Sequence, residues 1–308
     1  MDNGLRHKIL YLILASVMLY SLIVLNFKKS VISNPFSSAV ISLSFFSVIA
    51  IIIITLYPEL LDPNRKISTI DDYIMIIASA TFTIVSISLI NSFGTDDMEY
   101  IYEALNNLFS GKDPYTAFYT PYGVCPTYTV YGTVVHNFIY PPLSFIIYIP
   151  LYIILRLLNL PGYLLNIENV LFDIILVLII YLEGRKKEDP FALLPVIFLY
   201  ILTVVSIPPF YGVIVVIPAV FLLLSYINDD KIGGISLALA TSFTQLSWLA
   251  LPFIIIHKLN SIYRGKIRIF LYSNYVKSFI ITVLITYLPF LLWNPRSFIY
   301  NVVTTDSN

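Results

Sequence analysis

The chain has 308 residues, of which 58% are hydrophobic and only 12% charged, with a mean hydropathy of +0.85. A water-soluble domain carries roughly 25% charged residues, so a soluble globular surface is excluded. Eighteen basic residues balance eighteen acidic ones, and no basic stripe of the kind that binds nucleic acid is present. Cys125 is the single cysteine, which rules out an internal disulfide.

Apolar runs long enough to cross a hydrocarbon core of about 30 Å recur along the chain, and the alternating strands of a membrane barrel are absent. The expected fold is therefore an all-α, polytopic transmembrane helical bundle. About nine spans are expected, near 9–27, 36–57, 73–93, 142–158, 164–182, 190–208, 211–227, 232–256 and 278–293. The run 232–256 reads either as one tilted helix or as two short broken ones. The first run follows Arg6 and Lys8, is long for a signal-peptide core and has no small-residue cleavage site after it, so it reads as a retained helix. No linker or internal repeat divides the chain, which reads as one membrane domain over 1–308.

Lys/Arg bias orients such a bundle. The basic stretch 257–277 and the N-terminal Arg6 and Lys8 belong on the cytoplasmic side, and three crossings then place the loop 94–141 outside. The stretch "EGRKKEDP" (183–190) disagrees with this count. The expected location is the cell membrane, with membrane lipids as surroundings.

The informative segment is "GTDDMEYIYEALNNLFSGKDPY" (94–115), which sets Asp96, Asp97, Glu99 and Glu103 beside a membrane run. Apolar residues at Met98, Ile101, Tyr102, Leu105, Leu108 and Phe109 follow a helical period. They predict a short amphipathic surface helix over 97–109 within the outer loop. Thr95 or Asp96 would cap its start and Gly111 its end. The acids then have two readings. They complement a helix dipole, or one of them serves as a general base where head groups meet water. Asp96 and Glu99 together also offer oxygens for a divalent cation. Adjacent helical residues point about 100° apart, so Asp96 and Asp97 do not face one substrate.

Asp97, Tyr102, Glu103, Ala104, Gly111, Pro114 and Tyr115, followed by "YPPL" at Tyr140–Leu143, give a pattern that resembles the GT-C superfamily of integral-membrane glycosyltransferases. It looks most like the polyprenyl-phosphate-mannose-dependent mannosyltransferases. The resemblance covers roughly 90–255. It implies transfer of a hexose, mannose foremost, from a polyprenyl-phosphate donor to a lipid, glycan or protein acceptor. By that resemblance the base falls on Asp97, with Asp96 second. Lys112 and Arg296 would meet the donor phosphate, and Tyr115, Tyr140 and His136 would line the sugar pocket beside Glu99. The chain departs from the pattern in four places, the first being that two helices precede the acidic loop region where many relatives have one. It has "IPPFYG" (207–212) where relatives often show "GQ". It has Gln245 before Pro252 where they often show a lysine. It stops at 308 where they usually continue, which implies a shortened member or a partner subunit supplying further helices.

Two other readings compete. A transporter or flippase would use Asp173, set inside "ENVLFDIILVLII", with Glu168 and Gln245, since an ionisable group inside a span marks function by default. A non-catalytic, shortened subunit would use none of these groups.

Overall fold

A computed structural model describes residues 3–28, 31, 33–60, 67–128, 131–187, 189, 191–205 and 213–303. The ends of the expected spans 190–208 and 211–227, and the segment 207–212, lie at least partly outside the described residues. Among the described residues the regular structure is helical, and a lone antiparallel bridge joins Tyr128 and Val134. The chain forms two compact units: residues 1–90 with 170–210, and residues 91–169 with 211–308.

The first unit is built on α1 (Asn3–Asn26), α2 (Pro35–Leu56), α3 (Ile67–Leu89), most of α7 (Asn166–Lys186) and α8 (Leu194–Val205). Asn34 caps α2 by accepting from the Phe36 and Ser37 amides, and Pro35 at the first position needs no hydrogen-bond partner there. α1 packs on α2 and α8, and α3 packs on α2 and α8. Leu14, Met18, Leu22, Ile41, Ile51, Ile74 and Phe82 fill the interfaces. Short side chains tie the helices: Ser37 Oγ donates to the Ser88 carbonyl at 2.6 Å, and Ser21 Oγ to that of Tyr200 at 2.8 Å. Hydroxyl-to-carbonyl contacts of this kind join helices where water is scarce.

The second unit contains α4 (Asp96–Phe109), α5 (Leu143–Ile146), α6 (Ile149–Leu157) and a 3₁₀ turn at Gly162–Leu165. It also contains α9 (Val213–Ile227), α10 (Lys231–Phe243), α11 (Leu246–Ser261), α12 (Ile267–Leu271), α13 (Asn274–Trp293) and α14 (Pro295–Val303). α10 packs on α9 and α13. The approach is close enough that a Cβ on Gly234 would strike the Tyr275 carbonyl and Ser278 Oγ.

Among the described residues five helices are long and apolar enough to cross a membrane: Gly4–Asn26, Pro35–Leu56, Ile67–Leu89, Gly162–Lys186 and Asn274–Trp293. They coincide with five of the nine expected runs, and the chain is in this sense a helical membrane protein. Two of the other runs are interrupted for local reasons. The run 142–158 is split at Tyr148, because Pro150 opens a new helix and offers no amide to continue the old one. The run 232–256 takes the broken form: α10 ends at Phe243, Thr244 is extended, and α11 begins at Leu246.

Candidate functional site

α4 carries the acids, and its boundaries follow from its caps. Thr95 Oγ1 accepts from the Met98 amide at the N-terminus. At the C-terminus Gly111 takes a φ of +72°, the Gly111 amide reaches the Leu108 carbonyl and the Lys112 amide that of Asn107. This is the closing pattern that a glycine after the helix permits. Met98, Ile101, Ala104 and Leu105 are fully buried, so the helix sits inside its unit by that face.

The three first-turn acids point to different partners, as the 100° spacing requires. Asp96 is 4% exposed and accepts from both the amide and the hydroxyl of Thr127. Glu99 is 6% exposed, and its Oε2 accepts from the Tyr122 amide at 2.8 Å. These two carboxylates fasten the loop 122–127 to the helix. Among the described residues no three His, Cys, Asp or Glu side chains converge as a cation site. Both Asp96 oxygens are committed to Thr127, and Glu99 Oε2 to Tyr122.

Asp97 is different. It is half-buried, and its Oδ1 accepts from the Tyr140 hydroxyl at 2.7 Å. Its second oxygen takes no hydrogen bond and is not sealed from solvent. Burial pushes the Asp97 carboxyl up to about 6; the Tyr140 hydrogen bond acts against this and the neighbouring Asp96 charge adds to it. The Tyr140 phenol is itself pushed up, by burial first and by Asp97 second, so it stays a proton donor to the carboxylate.

Tyr140 is fixed from behind. Its carbonyl accepts from the Tyr115 hydroxyl at 2.9 Å. Tyr115 is 2% exposed, ringed edge-on by Phe138, Phe145, Phe290 and Phe298 at centroid distances of 5.0–6.3 Å. The structure places Tyr115, expected beside the sugar, in the core, where it holds Tyr140. Asn301 on α14 donates to the Tyr115 carbonyl. Gln245, at the break between α10 and α11, donates to the carbonyls of Ile139 and Val302. Sequence alone assigns no site role to Asn301, and places Gln245 where relatives often carry a lysine or in a transport path. The polar break "FTQL" in an apolar run signals Gln245, whereas nothing local marks Asn301.

His136 is half-buried; its Nδ1 meets the Tyr119 carbonyl at 2.7 Å and its ring stacks on Phe118 at 4.3 Å. A carbonyl only accepts, so Nδ1 carries the proton, and this nitrogen serves the loop rather than a ligand. Lys112 is exposed beyond the far end of α4. The helix separates it from Asp97 by roughly 18 Å at 1.5 Å per residue. The structure therefore does not bring Lys112 to Asp97. Arg296 is exposed on the first turn of α14. The site that remains is Asp97 with Tyr140, held by Tyr115, Gln245 and Asn301.

Comparison with protein-family models, with curated proteins and with solved structures finds no match to this chain.

Proposed function

We propose that the chain is a GT-C-type glycosyltransferase in which Asp97 is the general base. The observation that carries this reading is the hydrogen bond between Tyr140 and Asp97. It joins the two halves of the pattern, the acidic loop and "YPPL", into one site with one carboxylate oxygen open. A base near its operating pH accepts a proton most effectively, and a carboxyl at about 6 is mostly ionised at neutral pH.

The reaction follows from that geometry. The acceptor hydroxyl gives its proton to the open oxygen of Asp97. The acceptor oxygen then bonds to the anomeric carbon from the face opposite the phosphate. The bond from that carbon to the phosphate oxygen breaks, and polyprenyl phosphate leaves with the electron pair, so the configuration inverts. Tyr140 keeps Asp97 in place through the step. Arg296, whose guanidinium forms a planar fork of donors, is assigned to the donor phosphate. The sugar is a hexose, mannose by the resemblance, and the acceptor is a lipid, glycan or protein. Nine crossings, with 94–141 on the outer face of the cell membrane, complete the reading.

A second reading rests on Asp173. It is 2% exposed, lies midway along the Gly162–Lys186 span, and its Oδ2 has no hydrogen-bond partner. An unpaired acid at that depth suits passage of a polar solute.

The deciding experiment supplies the purified full-length protein in vesicles with radiolabelled polyprenyl-phosphate mannose and an acceptor extract. Transfer of label with release of polyprenyl phosphate supports the first reading. Solute uptake that is lost in Asp173→Asn, with no transfer from any hexose donor, replaces it with the second.

A further inference from the structure

The first unit contains a polar arrangement that glycosyl transfer does not use. His7 on α1 is 6% exposed, and its Nδ1 lies 3.1 Å from Asp71 Oδ1 on α3. The Tyr11 hydroxyl donates to the same oxygen at 2.5 Å, and Asp71 is 8% exposed. An ionised carboxylate only accepts, so His7 Nδ1 carries a proton toward Asp71. His7 and Tyr11 stand between Asp71 and a cavity of about 190 Å³.

That cavity lies where α1 begins, α2 ends and α3 begins, which is one end of three candidate spans. Its walls are of two kinds. Lys8 and His7 form the polar side, and Lys8 is the one charged side chain among the lining residues described. Ile54, Pro58, Ile67 and Ile70 form the apolar side. The volume equals the share of roughly six waters at about 30 Å³ each. It is well below the roughly 300–1,000 Å³ of a site that encloses a whole drug-sized molecule. A small head group fits, and any attached chain stays outside along the apolar wall.

We propose that this cavity binds the head group of an anionic phospholipid, with the phosphate on Lys8 and the rest of the head group beside His7. Arg6 and Lys8 place this end of the unit on the cytoplasmic side, where anionic lipids gather and basic pockets between spans take their head groups. The proposal is independent of the Asp97 reading.

The test titrates full-length protein in mild detergent with phosphatidylglycerol and, separately, with phosphatidylcholine, counting bound lipid by native mass spectrometry. Phosphatidylglycerol binds more tightly than phosphatidylcholine. Lys8→Ala weakens it about fivefold, the loss expected for one basic contact to an anionic lipid. Arg6→Ala, at an exposed position outside the cavity, leaves it unchanged. Equal binding of the two lipids, an unaffected Lys8→Ala variant, or an equal loss in Arg6→Ala overturns the site. Displacement by inorganic phosphate at concentrations matching the lipid overturns the lipid assignment in favour of a free anion.

Discussion

The Tyr140 hydroxyl donates to Asp97 Oδ1 at 2.7 Å across 43 residues of sequence. This contact distinguishes Asp97 from Asp96, whose oxygens are taken up by Thr127, and several consequences can be measured.

The first concerns pH. If proton removal limits transfer, kcat/KM falls as pH drops through about 6, because protonated Asp97 accepts nothing. The Tyr140 hydrogen bond favours the charged carboxylate. Tyr140→Phe therefore moves the acidic limb of the profile to higher pH, a shift that a purely structural tyrosine would not produce.

The second concerns stability. Asp97 holds its proton more tightly in the fold than the ordinary carboxyl value of 3.8 allows. The folded state binds more protons between about pH 4 and 6, so stability falls as pH rises through that window. Asp97→Asn removes the buried charge. The variant unfolds at or above the wild-type midpoint above about pH 7, and the two converge below about pH 4. A variant less stable than wild type at neutral pH counts against a strained, functional carboxylate.

The third concerns the loop. Thr127→Val deletes the hydroxyl bond to Asp96 but keeps the amide bond. One net hydrogen bond contributes about 0.5–1.5 kcal/mol. Asp96→Ala loses both bonds and costs about 1–3 kcal/mol. Hydrogen exchange at the Thr127 amide accelerates in Asp96→Ala, and at the Tyr122 amide in Glu99→Gln if the weaker acceptor fails to hold it.

The fourth tests packing. A Cβ on Gly234 would collide with the Tyr275 carbonyl, a backbone atom that cannot swing aside. Gly234→Ala destabilises the second unit by roughly 1–3 kcal/mol, read as a lower thermal midpoint in detergent.

Much of α4 was legible from its sequence. Its period, Thr95 and Gly111 fixed the helix to within a residue, because caps and glycine geometry act locally. The angular divergence of Asp96 from Asp97 followed from helix geometry alone. What Asp97 pairs with did not, since Tyr140 arrives through tertiary packing and only the resemblance set the two side by side. The enclosure of Tyr115 is not legible in the sequence, because its surrounding rings come from positions 138, 145, 290 and 298. No local pattern carries that information. Length and hydropathy marked the five long spans. They did not show where Pro150 and the Thr244–Gln245 break divide a run, because hydropathy sums over a window and ignores a single missing amide.

The most direct test of the central claim compares wild type, Asp97→Asn and Asp96→Asn in single-turnover transfer from radiolabelled polyprenyl-phosphate mannose, with donor binding measured alongside. The account predicts that Asp97→Asn retains the donor and loses roughly 10²–10⁴-fold in rate, while Asp96→Asn keeps a clear fraction of the activity. Equal transfer by Asp97→Asn and wild type would contradict it and leave Asp97 as one more acid of the first helical turn.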